Sequence, residues 1–182
     1  MLHVIIPKRE YYNEATNTFE YVPKTELTLE HSLVSVSKWE AKYHKPFLES
    51  GPKNREEEIG YIKCMTITQN VSDEVFNYIP DDVYKQINDY INDPMTASYV
   101  DDITEDSKKK PSEKVTSELI YYWMVALQIP PEYEKWHLNR LLMLIRICNK
   151  KNAPVKKMNK NQLMARNKAL NDARRAKLHT KG

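Results

Sequence analysis

The apolar and polar positions of this chain change period near Glu30. Before it they alternate. Leu2-His3-Val4-Ile5-Ile6 is a β-prone run closed by Pro7. Thr18-Phe19-Glu20-Tyr21-Val22 and Thr25-Glu26-Leu27-Thr28-Leu29 alternate apolar with polar residues on either side of Pro23. The pattern predicts a two- or three-stranded antiparallel element within residues 1–29, with the polar YYNEATNT stretch outside the strands and Asn13 to Thr18 as a connecting loop.

From Glu30 onward the spacing is helical. One helix is expected over Glu30 to His44, carrying Leu33, Val36 and Trp39. After the Ser50-Gly51-Pro52-Lys53 loop, Asn54 is a natural N-cap, and Glu56, Glu57 and Glu58 follow where the helix dipole favours acids. Ile59, Ile62 and Met65, with Cys64 alongside, form that helix's apolar stripe up to Gln69-Asn70. A short turn follows at Ser72 to Phe76. Pro80-Asp81-Asp82 then opens an amphipathic helix with Val83, Ile87, Tyr90 and Ile91, which Asn92-Asp93-Pro94 stops. Met95 to Lys114 is polar and reads as an internal loop.

The most apolar stretch is Val115 to Lys150. Ile129-Pro130-Pro131 divides it, because a residue before proline leaves the helical region and proline suits a first helical turn. Leu138, Leu141, Leu142 and Ile145 fall on one helical face, with Trp136 a turn upstream and Trp123 in the first half. This pair of helices is expected to be the core on which the rest packs. The fold class that follows is mainly α: a compact multi-helix domain over residues 1–150 with a small N-terminal antiparallel β-element, and a basic C-terminal helix or tail over 151–182.

Charge sharpens that division. Residues 150–182 hold eleven Lys or Arg and one Asp, a balance of +10, which leaves −7 on residues 1–149 within a net charge of +3. An acidic body joined to a basic segment points to protein–protein contacts or self-association. Residues 150–182 contain no Trp, Tyr or Phe on which single-stranded bases could stack. No helix-turn-helix or zinc-finger pattern accompanies the cations, so the sequence weighs against nucleic acid as partner. Partner binding is assigned to exposed apolar groups of the helical body and to Arg166, Arg174 and Arg175.

Candidate chemistry is sparse. Three glycines leave no Gly-rich nucleotide loop, and there is no HExxH, CxxC pair or GxSxG. Glu40 and His44 share a helix face without a third ligand and read as a solvated pair. His137 reads as a core-edge histidine. Asp101-Asp102 and Glu105-Asp106 lack the glycine and spacing of a calcium loop. Cys64 and Cys148 read as two buried thiols rather than a disulfide framework. No catalytic residue, metal or cofactor is expected, nor any enzymatic activity. The longest nearly apolar run, Leu119 to Ile129, falls short of the roughly 20 residues that span a bilayer. With no signal-peptide pattern at the start, the expectation is a soluble cytoplasmic protein without a membrane partner.

Several stretches carry a family resemblance. They are LEHSLVSVSKWE at 29–40 with KPFL at 45–48, YIKCMT at 61–66, YINDPMTA at 90–97, SELIYYWM at 117–124 and WHLNRLL at 136–142. Together with the basic segment ending in Lys181-Gly182, they resemble a family encoded in the tail-gene region of long-tailed bacteriophages, the tail assembly chaperones. The resemblance covers most of the chain and brings no catalytic residues with it. It implies a non-enzymatic protein of the host cytoplasm that coats the long helical tape measure protein, keeps it soluble and delivers it to other tail components. A chaperone of this kind is expected to be absent from the mature virion. Two alternatives remain open: a minor structural protein of the tail or neck, and a nucleic-acid-binding regulator acting through the basic tail.

Overall fold

The computed structural model describes residues 1–14, 17–49, 51–98, 114–153 and 160–178. The expected loop Met95–Lys114 lies largely outside these residues, as do Asp101-Asp102 and Glu105-Asp106. The chain divides into two compact units, Met1–Lys150 and Lys151–Gly182.

The first unit begins with four strands rather than two or three: β1 Leu2–Ile6, β2 Arg9–Asn13, β3 Thr18–Val22 and β4 Thr25–Leu29. β2 lies where the sequence pattern suggested a polar segment, because Arg9-Glu10-Tyr11-Tyr12 has no apolar alternation of its own and pairs only by virtue of its partner. β1 pairs antiparallel with β4, and β2 with β3. Val4, Ile6, Leu27 and Leu29 turn from the β1–β4 pair into the core. The outer edge of β4 is covered by the chain leaving the second helix: the Glu30 amide donates to the Met65 carbonyl at 2.9 Å and the Ile67 amide to the Thr28 carbonyl at 2.8 Å. A covered edge removes a template for unwanted pairing.

Helix α1 spans Leu33–Tyr43, later in starting than the pattern suggests, because Ser32 is its N-cap and Glu30-His31 stay extended. A capping box with Ser35 fixes that start, and His44 ends the helix in the left-handed region at φ 54°. α2 spans Arg55–Met65 with Asn54 as N-cap and Glu57 closing the box. α3 is Asp73–Asn77 and α4 is Asp81–Asn92, which buries Val83, Ile87 and Tyr90. α5 covers Ser117–Ala126. Past Pro130 the chain forms a 3-10 turn at Pro131–Lys135 before α6 at Leu138–Asn152. Trp136 is therefore extended, stacked between Tyr133 at 3.9 Å and the Arg140 guanidinium at 4.1 Å, and is not the first member of a helical stripe. α6 continues through Lys150–Asn152.

The centre of the core is α1, not the C-terminal pair. Trp39 is wholly buried, while Trp123 and Trp136 are only half-buried. The Trp39 ring meets Tyr43 and Phe47, and its Nε1–H donates to the Glu57 carbonyl at 2.9 Å, so the largest buried side chain leaves no polar atom unpaired. Tyr43 crosses α2 at Gly60, where a Cβ would stand 2.0 Å from the tyrosine oxygen. Glu40, expected in solvent with His44, is buried instead. Its carboxyl oxygens accept from the Phe47 and Ser117 amides, both at 2.7 Å, and thus fasten the start of α5 to α1. His44 is exposed. Cys64 and Cys148 are free and half-buried rather than buried.

Two stability predictions follow from these placements. Leu141 is fully buried and Leu142 only partly. Denaturant unfolding should show Leu141→Ala costing about 2–5 kcal/mol and Leu142→Ala about 1 kcal/mol. Glu40→Gln keeps one acceptor but turns an amide donor toward the other backbone N–H. It should cost about 1–3 kcal/mol and deprotect the Ser117 amide in hydrogen exchange.

Candidate partner-binding surface

The strongest surface feature is built by the N-terminal ribbon. Ile6 faces Thr25 and Arg9 faces Val22, three residues on along each strand, so the two ladders share one register although the pairing is interrupted at Pro7-Lys8 and Pro23-Lys24. Proline has no N–H to give the ladder, and the register sets Pro7 level with Lys24 and Pro23 level with Lys8, so the two prolines fall at successive levels between the paired halves. The buried face changes there. In the β1–β4 half it carries Val4, Ile6, Leu27 and Leu29; in the β2–β3 half the inward side is that of Val22 and half-buried Tyr11. Side chains alternate with a period of two, so these two sets belong to opposite faces of one ribbon. The ribbon turns over between its halves.

As a result, the face that would have continued the core is presented to solvent. It bears Tyr12, Phe19 and Tyr21, which are 49%, 78% and 53% exposed. Tyr12 and Phe19 pair across the strands, ring centres 5.2 Å apart and edge to face. Glu10 stands opposite Tyr21 in the register and adds a carboxylate to that face. The other side holds the ribbon to the body: the Tyr11 ring lies 4.1 Å from Tyr78, and its hydroxyl donates to Glu20. That carboxylate partner, with burial adding to it, raises the Tyr11 pKa. An aromatic face of this kind on a two-stranded ribbon is a typical mark of an interaction site.

Smaller apolar areas lie elsewhere on the first unit. Tyr122 and Val125, three residues apart on α5, are 65% and 77% exposed. A groove of about 450 Å³ is lined by Val34, Lys38, Cys64, Met65 and exposed Ile67, among others. These are the exposed apolar groups of the helical body.

In the second unit α7 spans Lys160–Leu178 and every described side chain on it is exposed. Arg166, Arg174 and Arg175 all lie on it. Helical spacing puts Arg175 roughly 180° round the axis from Arg166, so the three do not form one patch. With Lys160, Lys168 and Lys177 and a single acid, Asp172, the helix carries positive charge round rather more than half of its circumference, with Asp172 in the remaining sector. Sequence reasoning found these arginines from the charge run but missed Tyr12, Phe19 and Tyr21. The available signal was that Tyr12, Phe19 and Tyr21 share one face of any hairpin closed between Asn13 and Thr18.

Among the described residues no group of three or more His, Cys, Asp or Glu side chains could hold a metal ion, and no helix is long and apolar enough to cross a membrane. Comparisons with models of known families, with curated proteins and with solved structures give no match.

The aromatic face should be separable from folding. Replacing Phe19 and Tyr21 together with Ser removes exposed rings only, and substitutions at exposed positions generally stay within about 0.5 kcal/mol each. The thermal midpoint of the double variant should therefore stay close to that of the parent, while its binding of a hydrophobic dye should fall.

Proposed function

We propose that this chain is a phage tail assembly chaperone, a non-enzymatic protein of the host cytoplasm that binds the tape measure protein and keeps it soluble during tail assembly. The stretches from Leu29 to Leu48, Tyr61 to Thr66, Tyr90 to Ala97, Ser117 to Met124 and Trp136 to Leu142 support the family, by resemblance. The observation that carries the reading is the exposed aromatic face of Tyr12, Phe19 and Tyr21. A long helix with an apolar stripe needs temporary cover, and flat aromatic side chains supply contact area at low entropic cost. The cations of α7 suit acidic segments of the same partner.

Co-expression with the tape measure protein tests the proposal. The expected result is a stable complex and a gain in soluble tape measure protein, both weakened by Phe19→Ser with Tyr21→Ser. No complex and no gain with the parent chain would overturn it. Mass spectrometry of purified virions separates a chaperone, absent from the particle, from a minor structural protein of the tail or neck.

The exposed basic α7 favours a second reading, a nucleic-acid-binding regulator. That reading requires a DNA mobility shift that weakens steeply with salt and disappears on deleting residues 156–182.

A further inference from the structure

We propose that His31 and His137 form an acid-operated latch: with both rings neutral it holds the start of α6 on the β4–α1 junction, and a proton on either ring releases it. The two imidazoles meet edge to face, centres 4.9 Å apart, where five segments converge. Ser32 and His137 form an isolated antiparallel bridge, and the Leu138 amide donates to the His31 carbonyl at 2.8 Å. Asn139 Nδ2 adds bonds to the Ile91 and Asp93 carbonyls at 2.9 and 2.8 Å. The tethers of the α6 start are thus gathered in residues 137–139. The packing around Trp39 uses Tyr43, Phe47 and Glu57, of which Phe47 also meets the His31 ring, and none of residues 137–139.

Hydrogen-bond geometry fixes the tautomer of the neutral His137 ring. Its Nε2 lies 3.0 Å from the Tyr90 carbonyl, which can only accept, so Nε2 carries the hydrogen and Nδ1 keeps a lone pair. That Nδ1 is buried and has no partner among the described residues. A proton there would create a buried cationic N–H facing no acceptor, which is strongly disfavoured. His31 Nδ1 shares its bond with the Tyr61 hydroxyl. The nearby Ser35 hydroxyl donates to the Ser32 carbonyl at 2.7 Å.

The charged and titratable groups around the pair are few. The β4–α1 junction brings Glu30, which already accepts from Tyr90 Oη at 2.6 Å and pairs with the Met1 ammonium at 3.1 Å. α4 and its C-cap bring Tyr90 and Asp93, whose Oδ1 accepts from the Met95 amide at 2.7 Å. α2 brings Tyr61 and Cys64, and the segment after α1 brings Phe47 with Lys53 over its ring at 4.1 Å. Burial is the main cause that holds both imidazoles below their ordinary range. His31 is lowered to about 3, with the neighbouring ring adding to the effect; for His137 the Tyr90 carbonyl, Glu30 and Asp93 oppose burial without cancelling it.

The direction of the pH dependence follows. The released state titrates near the ordinary histidine value of about 6.5 and the closed state lower, so the released state binds more protons. Closure is at full strength above about 6.5 and is lost as pH falls below it, before most carboxylates titrate near about 4.

Hydrogen exchange of the full chain from about pH 7.5 to 5 tests the latch. Opening constants for the amides of Leu138 to Ile145 should rise about tenfold per pH unit below about 6.5 for each proton taken up. The amides of β1, β4, α1 and α2 should keep their protection. In His137→Gln the side-chain amide can still donate to the Tyr90 carbonyl but cannot ionise, so the pH slope should fall by one proton; His31→Gln should do the same. A pH-independent opening constant, or loss of protection throughout the first unit at once, would overturn the proposal. Should a variant not fold, imidazole NMR of the parent chain decides: midpoints below about 6 for both rings support the latch, and either midpoint at or above about 6 refutes it.

Discussion

The indole of Trp39 is the constraint on which this fold depends. A ring of that size can be wholly buried only if its N–H finds an acceptor, and the Glu57 carbonyl in the first turn of α2 supplies it. The Glu57 side chain meanwhile accepts from the Asn54 amide in the capping box. One turn thus closes its own helix and satisfies the core of its neighbour. On the next residue of α1, Glu40 turns to a different side and accepts the amides of Phe47 and Ser117. Adjacent side chains on one helix therefore connect α1 to α2 and to α5, and the C-terminal helices pack on a scaffold already fixed by α1.

Part-buried tyrosine–glutamate hydrogen bonds serve as joints between elements. Tyr90 reaches Glu30 to tie α4 to the end of β4, Tyr84 reaches Glu58 to tie α4 to α2, and Tyr121 reaches Glu134 to tie α5 to the 3-10 turn. Tyrosine suits the task because its ring adds apolar contact while its hydroxyl reaches a carboxylate at the margin of the core. Burial, with the carboxylate next in effect, raises the Tyr121 pKa to about 12 and also raises those of Tyr84 and Tyr90. The His31–His137 joint differs, since its members are closed off from such a partner and its neutrality is enforced by geometry.

What the core leaves over suits a protein that works by contact. The ribbon spends one half on the core and turns the aromatic face of its other half to water, which a chain selected only for stability would have little reason to keep. The basic helix of the second unit offers another kind of contact, positive charge over much of its surface without a stacking platform. The proposed role, cover for an apolar helix with attraction to its acidic segments, draws on both kinds of contact.

The sequence by itself determined the local events. A β-prone run closed by Pro7 located β1, period-two alternation located β3 and β4, the Asn54 cap and its acids located α2, and the Pro80-Asp81-Asp82 start and Asn92-Asp93-Pro94 stop bounded α4, because each is a short-range rule of backbone geometry or helix-end hydrogen bonding. The charge run likewise placed the arginines of α7. Tertiary structure decided the rest. Arg9–Asn13 became a strand only because β3 lies beside it, and Glu40 went inside only because two amides distant in sequence converge on it. Trp39 rather than Trp123 or Trp136 became the centre because of which helix faces which. The exposure of Tyr12, Phe19 and Tyr21 rests on a turn-over of the ribbon that alternation cannot reveal: a period of two says which residues share a face, not which face meets the core.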